Sequence, residues 1–297
     1  MAVRRAFHDQ TLPDTVENAQ MKIPTIMELV ERHQDEWVFY SPAITLDIEE
    51  EFDDALEVYY DQRDVDAAER IVREVLCKCP EHIDALHHLS IWTEARGDAV
   101  GGFAFCQAAV AVGLRAIPSD FQWNRSKLPW THLSNRPFLR SYRGLALHAI
   151  QRQDWNNAIT ILSRLLAVDP GDNQGVRHEL PGCWLETGNF SAVVYHCHRY
   201  RDEESPNIWY SLALALILAE RVRDAQQVLL QAICFRPLVA REILADSHPE
   251  PNRKYAGAYT ADGITEAWDY YNRCGKYWKR SATAMTLLRR LLHQNTH

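Results

Sequence analysis

Residues Tyr142–Pro170 read YRGLALHAIQRQDWNNAITILSRLLAVDP. Tyr142, Leu145 and Ala149 recur at the three- and four-residue steps that place side chains on one face of a helix. Gln153-Asp154-Trp155 interrupts the stripe with polar residues, and Ala158, Leu162 and Leu165 begin a second one that Pro170 brings to an end. The spacing predicts two antiparallel helices joined by a short turn. A single pair of this kind cannot bury its own apolar face, so the reading requires neighbours of the same kind on either side.

The chain supplies them. Towards the C-terminus the same grammar returns at Trp209, Leu212, Ala213 and Leu216, then Ala225, Leu229, Ala232 and Pro237. Towards the N-terminus it returns at Phe52, Tyr59, Ala68, Val72, Val75 and Pro80, with Arg63-Asp64 in the turn. Looser copies run from Ile83 to Leu114, around Leu86, Leu89, Gly97-Asp98 and Ala109, and from Gln174 to Ser205, around Leu180, Trp184, Gly188-Asn189 and Cys197. Small residues such as Ala158 and Ala225 let paired helices approach, and large apolar residues fill the space to the next pair. The pattern resembles the tetratricopeptide repeat. It predicts an all-α fold, a right-handed superhelix of antiparallel helix pairs (a tetratricopeptide-like α-solenoid). The expected organisation is an N-terminal extension or cap over 1–49, two repeats over 50–114, an insertion over 115–137, three repeats over 138–237 and C-terminal capping helices over 238–297. The insertion carries Pro118, Pro129, Pro137, Trp123 and Trp130, a loop-like composition. Pro13, Pro24 and Pro42 divide the extension, in which a helix is expected from Thr25 to about Trp37.

The totals narrow the function classes. Of 297 residues, 46% are hydrophobic and 24% charged, as in ordinary globular chains. Nine Trp, twelve Tyr and nine Phe are many for this length and suit a core or a binding face. A net charge of −8 argues against non-specific nucleic-acid binding, which needs a basic footprint. No run of eighteen apolar residues predicts a membrane span, and the first residues lack the apolar core of a secretory signal. Seven cysteines, an odd number without paired spacing, read as reduced thiols in a cytoplasmic setting.

Candidate chemistry is sparse. Cys77-Lys78-Cys79 with His82, His87 and His88 offers zinc-ligand residue types, but on a helix Cys77 and Cys79 face different sides, and the core reading is preferred. His196-Cys197-His198 suffers the same geometry. No cysteine has a His and acid partner at a known spacing, and no Gly-rich phosphate loop or helical zinc motif occurs. No metal or cofactor is expected. Asp47 to Asp54 is an acidic run that reads first as a solvated helix start and second as a cation or basic-peptide site. Arg177 occupies a position usually held by a large apolar residue, so it should be paired, with Asp169, Asp172 or Glu179 as partners. A structural network at the repeat junction is the first reading and a ligand site the second.

A narrower likeness lies in Arg136-Pro137-Phe138-Leu139-Arg140, Gly144-Leu145-Ala146-Leu147, and above all Asp169-Pro170-Gly171-Asp172-Asn173-Gln174-Gly175-Val176-Arg177. Phe235 to Leu244, Tyr259 to Gly263, Glu266-Ala267, Tyr270, Trp278, Ala284 and Leu287-Leu288-Arg289 extend it. Together, over about 136–292, they resemble tetratricopeptide proteins related to the suppressor-of-tumorigenicity family, in particular its soluble bacterial relatives. The stretch Pro249 to Ala258 departs from that pattern. The resemblance implies a helical repeat fold and an interaction role, and implies no catalytic residues.

In tetratricopeptide stacks the first helices line a concave groove. The resemblance places Glu57, Tyr60 and Asp61 there from the first repeat, and His87 and Glu94 from the second. Arg140 and Arg143 come from the third, His178 and Glu186 from the fourth, and Asn207 and Tyr210 from the fifth. Such a groove is acidic at its N-terminal end and apolar at its C-terminal end, where residues 238–297 either cover it or leave it free. The expected role is a non-catalytic scaffold or adaptor binding a protein or peptide segment. A chaperone-like or regulatory holder of a client is the alternative, and a metal- or thiol-dependent enzyme a third reading.

Overall fold

A computed structural model describes residues 27–252 and 263–295; the extension before residue 27 and part of the Pro249–Ala258 stretch lie outside them. An all-α solenoid fills most of the chain. Five helix pairs follow one another: α1 (Leu46–Tyr60) with α2 (Val65–Lys78), α3 (Ile83–Ala95) with α4 (Ala99–Ala116), and α5 (Arg136–Gln151) with α6 (Trp155–Val168). Then come α7 (Leu180–Glu186) with α8 (Phe190–Arg199), and α9 (Pro206–Leu218) with α10 (Val222–Phe235). Three more helices follow: α11 (Pro237–Leu244), α12 (Ile264–Arg280) and α13 (Ala282–Gln294).

The same turn chemistry joins the helices within every pair. One residue takes the left-handed conformation: Arg63, Gly97, Gln153, Gly188 or Glu220, with φ of 60°, 90°, 60°, 69° and 61°. The next residue caps the following helix. Asp64, Asp98, Asp154 and Asn189 each accept the backbone N–H three residues on, which satisfies one of the unpaired donors at a helix start. Only the fifth pair departs, where Arg221 makes no side-chain cap and instead pairs with Asp224 at 2.7 Å.

Packing follows from composition. Ala68, Ala158 and Ala225 are completely buried in the second helices of their pairs. Where α4 meets α5 even a methyl is excluded: a Cβ on Gly113 would stand 2.1 Å from the Phe138 ring. By length and composition α4 could cross a membrane, yet here it is the second helix of a pair, packed against α3 and α5. Each helix up to α11 packs on its neighbours in the stack; α12 packs on α11 and α13 and also returns to α7 and α9.

Two departures from the sequence reading have physical causes, and one alternative that it left open is decided. First, the segment expected to be helical from Thr25 to Trp37 forms an antiparallel hairpin of β1 (Glu28–His33) and β2 (Glu36–Tyr40), with Leu29 opposite Phe39 and Val30 opposite Val38. Leu29, Trp37 and Phe39 alternate inwards against Phe121, Leu128 and Phe138, a two-residue period that only a strand serves. The insertion holds the hairpin's outer edge. Asn135 is fully buried, accepts the Phe39 N–H at 3.0 Å and donates to the Trp37 carbonyl at 3.0 Å, and the Lys127 carbonyl accepts the Trp37 N–H at 2.9 Å. Second, the first helix of the fourth pair starts six residues later than expected. Gly175 is left-handed (φ 69°), Val176–His178 form a 3-10 turn, and Pro181 sits in the first turn of α7, where its missing N–H costs nothing. The apolar end of the groove, which the sequence left either covered or free, is covered. Helix α9 is buried on every side from Pro206 to Ile217 because α12 lays Tyr270 and Trp278 against it.

Candidate functional site

The first helices of the pairs and the segments at either end enclose three adjoining cavities. The first lies between the hairpin, α1, α3 and α5, and is bordered by Phe39, Ser41, Ile44, Glu49, Asp53, His82, Asp84 and Arg140 among others. The second, between α3 and α5, is bordered by His87, Ile91, Glu94, Cys106, Arg140, Arg143, Leu147 and Gln174. The third involves Arg143, Gln174, His178, Glu203, Asn207, Arg236, Glu266 and Arg273. Arg140 is common to the first two, and Arg143 and Gln174 to the last two. Helix α5 therefore borders all three, which follow one another as a channel along the first helices.

Ion pairs stiffen the middle of that channel. The Nη2 of Arg140 lies 2.8 Å from both oxygens of Asp84, and Arg143 reaches Glu179 at 3.1 Å. The Nε atoms of both arginines are buried without a hydrogen-bond partner. Burial alone would raise the Asp84 carboxyl, but the hydrogen bond and charge of His88 and the Arg140 guanidinium outweigh it, and its pKa is lowered. His87 goes the other way. Burial, helped by the charges of His88 and Arg140 against the opposing pull of Asp84, lowers it to about 4, so it is neutral at pH 7. Burial pushes the Cys106 thiol up to about 12, and its Sγ donates to the Ser141 carbonyl at 3.4 Å, so it presents no thiolate to the channel.

The residues expected in the groove are distributed unevenly. His87, Glu94, Arg140 and Arg143 meet around the second cavity, and Arg143, His178 and Asn207 border the third. His178 does so from the 3-10 turn rather than from a helix, with Nδ1 3.3 Å from Ser205 Oγ. Asn207 is largely buried. Glu57, Tyr60 and Asp61 are exposed at the far end of α1, outside all three cavities. Glu186 and Tyr210 are corrected outright. Glu186 is tied to Lys276 of α12. Tyr210 is completely buried, donates its hydroxyl to the Arg236 carbonyl at 2.7 Å and lies under Tyr270, so it offers no surface to a partner.

Arg177 is a junction strut. It pairs with Asp172 at 2.8 Å and with Glu203 at 2.6 Å, while Asp172 also accepts the N–H groups of Val176 and Arg177 at 2.7 and 2.9 Å. Cys77 is exposed on the last turn of α2, Cys79 is buried at its cap, and His82 Nδ1 caps α3 by accepting the Ala85 N–H. Among the described residues no group of three or more His, Cys, Asp or Glu side chains is placed to hold a metal ion. Ser41, Phe39, Glu266 and Arg273 were not legible as channel residues, because they come from the hairpin and the returning helix rather than from a repeat.

The family model described as transcriptional repressor TCF25 matches residues 49–297. The chain belongs to the TCF25 family. The match takes in all thirteen helices except the first residues of α1, and leaves the hairpin outside. Solved structures similar to this TCF25-family chain include two of a Podosopora anserina putative kinesin light chain with nearly identical TPR-like repeats, one of them a single-substitution form. Each is 19% identical and covers 63% of this chain; they cover 93% and 94% of their own chains, with TM-scores of 0.44 and 0.45. Another is the structure of Naa15/Naa10 bound to HypK-THB, 13% identical, covering 84% of this chain and 37% of that one, with a TM-score of 0.42. The helix pairs themselves carry the fold assignment. No curated protein matches the chain. The suppressor-of-tumorigenicity resemblance receives no support from these comparisons.

Proposed function

We propose that this TCF25-family chain is a non-catalytic scaffold or adaptor that binds a segment of another protein along the channel walled by α5. The observation that carries this reading is that three cavities adjoin one another and share Arg140, Arg143 and Gln174 as lining, an arrangement suited to an extended segment. Apolar wall residues such as Ile91 and Leu147 lie beside charged ones, the mixture that holds and orients a peptide. The buried, protonated Cys106 and the ion-paired Asp84 and Glu179 supply no activated nucleophile or base beside α5. All seven cysteines are free thiols, which suits a reducing, cytoplasmic compartment.

The test is affinity capture with peptide identification, using the wild-type chain, an Arg143→Ala/Leu147→Glu variant within the channel, and a Tyr195→Ser variant on the opposite face. Partners should be lost from the channel variant and kept by the Tyr195 variant. Partners that bind the channel variant as well as the wild type would overturn the assignment.

A further inference from the structure

Two carboxylates that border the first cavity, Glu49 and Asp53, make no ion pair among the described residues, although Arg32, Arg136 and Arg140 border it too. Glu49 and Asp53 are four residues apart on α1 and so share a face, where two like charges oppose each other. Partial burial, then Asp53 and Asp84, raise the pKa of Glu49, the mark of a carboxylate without a cation. None of the three arginines that border the cavity forms an ion pair with either carboxylate. Arg140 is held by both oxygens of Asp84. Arg136 donates to the Trp130 carbonyl at 2.9 Å with its guanidinium over the Trp130 ring. Arg32 is exposed on the hairpin and makes no ion pair among the described residues.

A second, independent observation concerns hydrogen bonds. His82 borders the same cavity and is 3% exposed. Its Nδ1 accepts the Ala85 N–H at 3.2 Å, so in the neutral ring the proton must sit on Nε2. Burial lowers the pKa of His82 and keeps the ring neutral. Among the described residues that Nε2–H has no acceptor, and the Ser41 hydroxyl, also buried at the cavity, has no partner. Among the described residues, Glu49 and Asp53 thus lack an ion-pair partner and His82 lacks a hydrogen-bond acceptor, while Ile44 and Val38 give the cavity an apolar wall. A basic residue in a peptide combines the three: a charged head, an aliphatic stem and a backbone carbonyl.

We propose that this cavity receives an arginine or lysine side chain of the bound segment, its head between Glu49 and Asp53 and its stem along Ile44 and Val38. The inference rests on the channel reading above and adds the chemistry of its N-terminal end: the partner carries a basic residue that anchors there. Glu49 and Asp53 are both exposed, so the attraction that guides the segment in and holds its head weakens as salt rises.

Labelled peptide pools of one design, with arginine, lysine, citrulline or glutamate fixed at the centre and the flanks randomised, test this by fluorescence polarisation on the full chain. The arginine and lysine pools should bind about tenfold more tightly than the citrulline pool. Glu49→Gln with Asp53→Asn should bring the pools to parity, and Glu49→Gln alone should narrow the gap if the double variant folds poorly. Equal binding of arginine and citrulline pools to the wild-type chain would overturn the basic anchor and leave the channel standing. A preference that survives both carboxamide variants would also overturn it, by placing the anchor elsewhere. Failure of every pool to bind would remove the channel reading and this inference together.

Discussion

Single residues here do opposite things within one turn of helix. His87 and His88 are adjacent on α3, yet His88 supports Asp84 from 3.4 Å while His87 is kept neutral by burial. This has a sign that can be measured. Unfolded, His87 gains a proton as the pH falls below about 6.5; folded, it resists until about pH 4. Between those values the unfolded chain binds more protons, so the contribution of His87 is complete above about pH 6.5 and is lost as the pH falls towards 4. The amount is at most about 3 kcal/mol, at about 1.4 kcal/mol per pKa unit. Urea midpoints measured across this range should fall less steeply for His87→Asn than for the wild type. Parallel curves would show that the ring is solvated in the folded chain.

At the scale of elements, close approach decides more than helix propensity. Gly113→Ala introduces a better helix former into α4, worth about 1 kcal/mol by itself. The added methyl meets Phe138, which is fully buried and stacked on Tyr142 at 5.3 Å, and cannot move aside freely. The substitution should therefore destabilise the chain by about 1–3 kcal/mol, read as a lower melting temperature; a rise would mean that α4 and α5 are less closely engaged. Such contacts explain what could be read in advance. The pairs were legible because Ala68, Ala158, Ala225 and the closing prolines recur at fixed offsets, and with them the meeting of His87, Glu94, Arg140 and Arg143. The hairpin was not. Its strands are short, its turn is Gln34-Asp35 rather than a glycine-containing pair, and its irregular pairing between Glu31 and His33 blurs the alternation of Leu29, Trp37 and Phe39. The late start of α7 depends on the left-handed Gly175 and the Asp172 bonds, which no apolar period encodes. The carboxylates and unpartnered donors of the first cavity became a site only because the hairpin was folded over them.

For the molecule as a whole, the returning helix matters most. Trp278 is completely buried, donates to the Tyr270 hydroxyl at 3.0 Å, and lies against Tyr210 of α9. Trp278→Ala should cost about 3–5 kcal/mol, and chemical denaturation should then show the C-terminal half melting before α1 to α4. A loss under about 1 kcal/mol would mean that α12 is only loosely attached. The attachment has a mechanical sequel. An open stack of helix pairs behaves like a spring, each coil free to hinge on the one before it. Here the last coils are riveted by α12 across α7 and α9, so that compliance is concentrated in the pairs from α1 to α6. The channel therefore resembles pliers with one fixed handle: any change of gape to fit thick or thin cargo falls to the jaw that carries the acidic cavity.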